Sequence, residues 1–180
     1  MAGYSEKRMK VFETDLSVQC LAPLPNPEPP SRSLPENACD AHAHVIGPFD
    51  QFPLIDNRSY TPPEAPFNAY QEMLWQIGMR RGVVVQPSIY GMNNELVLYA
   101  LKHDQENLRG IVVVDSHMSV SSLEAMNNAG VRGYRANLLF KGGIEFSEIV
   151  TVANKVADFK WHAELLIDIR DLPELRQIIE

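Results

Sequence analysis

Short β-branched runs alternate with amphipathic stretches of helical length from residue 38 onward. This is the pattern of parallel β/α units, whose strands are buried on both faces and read as near-continuous apolar segments. The runs fall at 38–42 (ACDAH), 83–86 (VVVQ), 111–115 (IVVVD), 133–137 (GYRAN) and 164–168 (ELLID). Between the first two, Tyr70, Met73, Leu74 and Ile77 recur at helical spacing behind a capping box of Asn68 and Gln71, leaving Glu72 and Gln76 to solvent. Asn93 or Asn94 is expected to cap a helix carrying Leu96, Val97, Ala100 and Leu101. A second box, Ser121 with Glu124, opens a helix that should stop at Gly130. Ser147 is expected to cap another, with Ile149, Val152, Ala153, Val156 and Phe159 as its apolar stripe. A last helix begins at Asp171, with Pro173 in its first turn and Glu174 three residues after the cap. Trp75 and Trp161 are expected to pack as amphipathic residues.

After the long loop behind the first run, the runs start 28, 22 and 31 residues apart, close to the roughly 31 residues per unit of an eight-unit barrel of about 250 residues. The fold class is therefore α/β, a (β/α)8 TIM-barrel type with about five β/α units present. An open five-stranded doubly wound sheet is the alternative. The last helix meets no Gly, Asn or basic final turn before Ile178-Ile179-Glu180, so an incomplete barrel is expected. Residues 21–35 hold six of the 13 prolines, which removes ladder donors and favours an extended course. Residues 1–36 thus read as a Pro-rich N-terminal arm, and 37–180 as the N-terminal portion of a barrel domain.

Composition narrows the function. With 45% apolar and 22% charged residues among 180, the chain can bury a real core. Sixteen basic against 23 acidic residues give −7, and no basic cluster exceeds Arg80-Arg81, so nucleic acid is not an expected partner. No apolar stretch approaches a membrane span, and no apolar segment follows the charges of the N-terminus, so a cytoplasmic location is expected. Cys20 and Cys39 are too few for a disulfide scaffold. Phosphate-binding loops, dinucleotide fingerprints and nucleophile elbows do not occur in the sequence.

Three constellations carry candidate chemistry. In Asp40-Ala41-His42-Ala43-His44, residues two apart on a strand share a face, so His42 and His44 can converge on a metal or a substrate. Gln86-Pro87-Ser88-Ile89-Tyr90-Gly91-Met92-Asn93-Asn94 follows the second run, where barrel enzymes build their sites. Ser88 could donate there to a carboxylate, and the asparagines lead into a helix N-terminus able to bind an anion, or serve as ordinary turn and cap residues. In Gly133-Tyr134-Arg135-Ala136-Asn137, Arg135 shares a face with Gly133 and Asn137 and is carried on a nearly bare surface. A buried Arg needs an anion, either a substrate carboxylate or a structural Asp or Glu. Asp115 and Asp168 are expected to cap turns rather than orient histidines. His103 and His162 read as structural, and His117 keeps a minor functional expectation.

These pieces together resemble the amidohydrolase superfamily, in particular the group that contains 2-pyrone-4,6-dicarboxylate hydrolase, sulfomuconolactone hydrolase and galactarolactone isomerase. The resemblance runs from about Asn37 to Glu180, through Asp40-Ala41-His42-Ala43-His44, Gln86-Pro87-Ser88-Ile89-Tyr90-Gly91, Gly130-Val131-Arg132-Gly133-Tyr134-Arg135-Ala136-Asn137 and Asp171-Leu172-Pro173-Glu174-Leu175. It implies a hydrolase or isomerase acting on a carboxylated lactone. By that likeness His42 and His44 would be the first-strand site histidines, Tyr60, Ser88 and Lys141 would contact substrate, and Arg135 would clamp a carboxylate. The base of the group, an Asp on the eighth strand, and a later-strand His would lie beyond these residues, so the 180-residue chain alone is expected to be inactive. The superfamily mostly uses one divalent ion, here Zn or Mn on His42 and His44, whereas the pyrone branch does without a metal. Two departures stand out. Lys141 occupies the place of a second arginine of the pyrone-dicarboxylate enzymes, and Leu165-Leu166-Ile167 lacks the expected aromatic hydroxyl. A decarboxylase of the same superfamily, and a non-catalytic half-barrel that closes with itself or a partner, are the alternatives.

Overall fold

The computed structural model describes residues 20–168 and residue 170. The first nineteen residues of the arm and the helix expected from Asp171 lie outside the described residues. Residues 21–35 carry neither helix nor strand and are almost wholly exposed. Five strands follow: β1 (Cys39–Ala43), β2 (Arg81–Val85), β3 (Leu108–Val112), β4 (Val131–Asn137) and β5 (His162–Leu166). They alternate with α1 (Phe67–Gln76), α2 (Glu95–His103), α3 (Val120–Ala129) and α4 (Ile149–Val156).

All pairings are parallel, and the strands lie in the order β1-β2-β3-β4-β5. That order decides the fold class. A doubly wound sheet reverses its strand order at a switch point, whereas sequential neighbours throughout are the winding of a (β/α)8 barrel. The molecule is a half-barrel. Its convex side packs Leu74, Leu96, Val97, Leu101, Leu123, Val152 and Val156 of the helices against the sheet in one buried cluster.

The helices start elsewhere than their boxes suggest. The N-cap of α1 is Pro66, not Asn68, and no side chain caps it. An isolated antiparallel bridge between Ile46 and Ala65, with both N–H···O bonds at 2.8 Å, fixes the chain's entry just ahead of the helix. In α3 the cap is Ser119, whose hydroxyl accepts from the Ser122 amide at 3.1 Å, while Gly130 closes the helix at φ 109° as expected. Ser147 sits in a 3-10 turn (Phe146–Glu148) leading into α4. Trp161 is buried and donates to Asn127 at 3.1 Å, but Trp75 is 64% exposed, with the Arg80 guanidinium 3.8 Å from its ring centre.

Candidate functional site

The register of β1 against β2 passes from Asp40↔Gly82 to Ala43↔Val84, three steps on β1 for two on β2. This bulge re-aims the strand. Asp40 is turned to the helical side, where its Oδ2 accepts from the Tyr70 hydroxyl of α1 at 3.2 Å. His42 and His44 are turned to the concave side, their rings edge to face with centres 5.1 Å apart. The convergence expected from their spacing is therefore present.

His44 is tied at both nitrogens. Its Nδ1 lies 2.8 Å from the Val85 carbonyl and its Nε2 lies 3.4 Å from Nη1 of Arg135. Because the carbonyl can only accept and the guanidinium can only donate, the ring is neutral, with its proton on Nδ1. Its pKa agrees: burial pushes it from 6.5 down to about 4, against the Val85 hydrogen bond and helped by the charge of Arg135.

Arg135 comes from β4 and is only 8% exposed. An added Cβ at Gly133, two residues earlier, would lie 2.7 Å from the His162 carbonyl oxygen and 2.9 Å from Ile111, so the strand passes its neighbours there only because the residue is bare. Burial disfavours the charged guanidinium, while Glu164 and Tyr60 favour it; at any ordinary pH it stays a cation. Among the described residues no carboxylate comes within 4.0 Å of it.

Glu164 was not singled out by sequence reasoning, and it faces the same side. It is the register partner of Arg135 on β5. Its Oε2 reaches 3.5 Å from His42 Nδ1 and its Oε1 3.9 Å from His162 Nε2, so the concave face brings β1 to β5. A signal was available in the alternation His162, Glu164 on a strand, yet nothing in the sequence tells which face is concave.

Three loops meet above the strand ends. Tyr60, from the loop after β1, stands edge-on to Phe140 at 5.9 Å. Burial pushes its hydroxyl pKa up, opposed by the neighbouring Ser88 hydroxyl and the Arg135 charge, so it remains a phenol able to donate. Ser88 is buried in a 3-10 turn after β2 (Ser88–Tyr90). The backbone amide of Lys141 donates to the Ser59 hydroxyl at 3.0 Å, and Gly142, at φ 95°, lies against the Ser88 carbonyl too closely for a side chain. Tyr60, Ser88, Arg135, His42 and His44 are thus gathered at one end of the half-barrel, with the Lys141 backbone on its rim.

The asparagine run does not make an anion site. Asn94 spends its amide on the Val113 backbone, accepting from N–H at 2.9 Å and donating to the carbonyl at 2.7 Å. Asn93 accepts from the Glu95 amide at 3.0 Å, and Glu95 itself supplies the negative charge of the first turn. Asp115 caps a turn through the His117 and Met118 amides, and Asp168 holds Arg170. His103 bonds the Tyr99 carbonyl within its own helix.

The histidine pair does not fit a divalent ion. The one lone pair of His44 faces a guanidinium, so a cation on Nε2 would take the place of another cation. No group of three His, Cys, Asp or Glu side chains able to hold a metal occurs among the described residues. Nor is any helix among them long and apolar enough to cross a membrane.

The profile of the amidohydrolase family (Amidohydro_2) matches residues 39–180. The chain belongs to this family. It is similar to the 2-pyrone-4,6-dicarboxylate hydrolase of Comamonas testosteroni, 35% identical over 83% of this chain and 50% of that protein. It is also similar to the 4-sulfomuconolactone hydrolase of Rhizobium radiobacter, 34% identical over 64% of this chain and 39% of the relative. Among solved structures it resembles that of a probable 2-pyrone-4,6-dicarboxylic acid hydrolase from Acinetobacter baumannii with citric acid bound, with 28% identity and a TM-score of 0.66 over 81% of this amidohydrolase and 55% of that chain. The chain spans about half the length, or less, of the curated relatives it matches.

Proposed function

We propose that this amidohydrolase chain forms the carboxylate-binding part of an enzyme that opens a carboxylated lactone with water. One observation carries the reading: Arg135 is a buried cation facing the concave side with no carboxylate partner among the described residues. A buried charge without a counter-ion is costly, and a substrate carboxylate bound by the guanidinium fork removes that cost. The names of the relatives, two of them lactone or pyrone hydrolases, support the same chemistry.

Ring opening adds water across the acyl C–O bond. A proton leaves the attacking water, the carbonyl oxygen gathers negative charge in the tetrahedral intermediate, and the departing ring oxygen takes a proton. The phenol of Tyr60 and the hydroxyl of Ser88 are the uncharged donors at the strand ends suited to the carbonyl oxygen. Neutral His44 accepts from Arg135 at 3.4 Å and helps to position it. The resemblance puts the base on a later strand, and the donor set of His42 and His44 does not suit a metal.

The test is steady-state kinetics of the full-length protein with 2-pyrone-4,6-dicarboxylate, 4-sulfomuconolactone and a sugar-acid lactone. Loss of a charged hydrogen bond of roughly 1.5–3 kcal/mol raises KM about 10- to 100-fold in Arg135→Ala, with Arg135→Lys in between. An unchanged KM removes Arg135 from the site, and release of carbon dioxide without ring opening refutes the reaction class.

A further inference from the structure

Among the described residues, Glu164 is the carboxylate whose charge acts on the buried cation, and its disposition is unusual. Register partners on adjacent parallel strands lie roughly 4.8 Å apart and, when both point inward, are the natural place for an ion pair. Arg135 and Glu164 are such partners, yet no ion pair joins them. The carboxylate turns toward β1, where one oxygen meets His42 at 3.5 Å and the other meets His162 at 3.9 Å. Its side chain is 24% exposed.

We propose that Glu164 is a specificity-determining residue that limits the substrate to one carboxylate and directs hydroxyl groups to its flank of the site. The inference rests on the carboxylated-lactone reading above. A substrate carboxylate seated on Arg135 has Glu164 as its lateral neighbour. A second carboxylate on the β5 side meets a like charge that stands between two imidazoles. A hydroxyl on that side meets an acceptor, because a carboxylate has about four lone-pair sites and the imidazoles, at 3.5 and 3.9 Å, leave them open to a donor. The class that fits is a lactone with a single carboxylate and at least one ring or side-chain hydroxyl, as in the lactones of hydroxylated sugar acids, in preference to a planar dicarboxylate. Like-charge rejection of this kind discriminates without any new attractive contact.

The experiment uses the full-length protein with two probes, galactarolactone and 2-pyrone-4,6-dicarboxylate, reading kcat/KM where turnover occurs and Kd by calorimetry where it does not. The unaltered protein favours the hydroxylated monocarboxylate. Glu164→Gln, which keeps shape and removes charge, shifts the ratio toward the dicarboxylate by at least about tenfold, mainly through KM or Kd, and Glu164→Asp keeps most of the original preference. An unaltered protein that binds the dicarboxylate as well as the monocarboxylate overturns the proposal without need of any variant. So does a ratio in Glu164→Gln that stays within about twofold of the original. Arg135→Ala separates the two claims. If it weakens binding of either probe while Glu164→Gln leaves the ratio unmoved, only the role of Glu164 falls; if it weakens neither, the carboxylated-lactone reading falls with it.

Discussion

Acidification should destabilise this protein through His44. The native ring holds its pKa near 4 because it is desolvated and lies against Arg135, whereas the unfolded chain returns it to 6.5. Between those values the unfolded state binds a proton that the native state refuses, so stability rises with pH across the window. The contribution is complete above about pH 6.5 and is lost as pH falls toward 4. At about 1.4 kcal/mol per pH unit the gap sets an upper bound of roughly 3.5 kcal/mol, lower to the extent that solvent reaches the ring. His44→Asn is the matched control, since its side-chain amide can still donate to the Val85 carbonyl but does not titrate. Urea unfolding followed by Trp75 and Trp161 fluorescence, repeated at pH steps across the window, gives both curves. The unaltered protein should lose roughly 2–3 kcal/mol more than the variant, most steeply near pH 5. Asp168, whose hydrogen bonds from Arg170 lower its pKa from 3.8 to about 2, acts below this window and is common to both proteins. Parallel curves for the two proteins would refute the reasoning, because they would mean that the ring is charged, or free to charge, in the native state.

Two further expectations concern the scaffold under the site. Asn94→Leu strips hydrogen bonds from the buried N–H and carbonyl of Val113 at once, so it should lower stability by about 3 kcal/mol, measured as a drop in urea midpoint at unchanged slope. Gly133→Ala places a methyl group against the His162 backbone and Ile111 and should destabilise by roughly 1–3 kcal/mol, the range of an overpacked core. A Gly133→Ala protein as stable as the original would show that β4 and β5 have room the structure does not give them.

The barrel winding was legible because parallel strands buried on both faces leave β-branched runs, and the spacing of those runs is set by one helix and two loops per unit. Their limits were not. The runs at 83–86 and 111–115 sit two to three residues late of β2 and β3, since Val113 and Val114 remain buried beyond the ladder while Arg81 and Arg109 lie within it. Apolarity marks burial, not hydrogen bonding. The helix starts moved for a similar reason: a capping box describes a local preference, and at α1 a bridge made to Ile46 overrode it. In the site, His42, His44 and Arg135 could be read from period-two alternation. Glu164 could not, because its meaning depends on β1 and β5 approaching across the concave face, a contact between distant parts of the chain. Nor could the β1 bulge, which puts Asp40 on the helical side and His42 on the other with only one residue between them.

The separation of two opposite charges is what the concave face maintains. Had Glu164 closed on its register partner, the pair would satisfy each other, and a substrate carboxylate would have to displace an internal one before it could bind. Instead each charge stands beside imidazoles: His44, neutral by burial, accepts from Arg135, while His42 and His162 lie 3.5 and 3.9 Å from the two oxygens of Glu164. On the proposed reading the histidines are therefore spacers for charge as much as reactants. The demand placed on β1 follows from this. It must deliver two imidazoles to one face within three residues while keeping Asp40 for Tyr70, and a strand of strict alternation would put Asp40, His42 and His44 all on the same side. The extra residue in β1 resolves that conflict, giving Asp40 to the helical side and both imidazoles to the concave one.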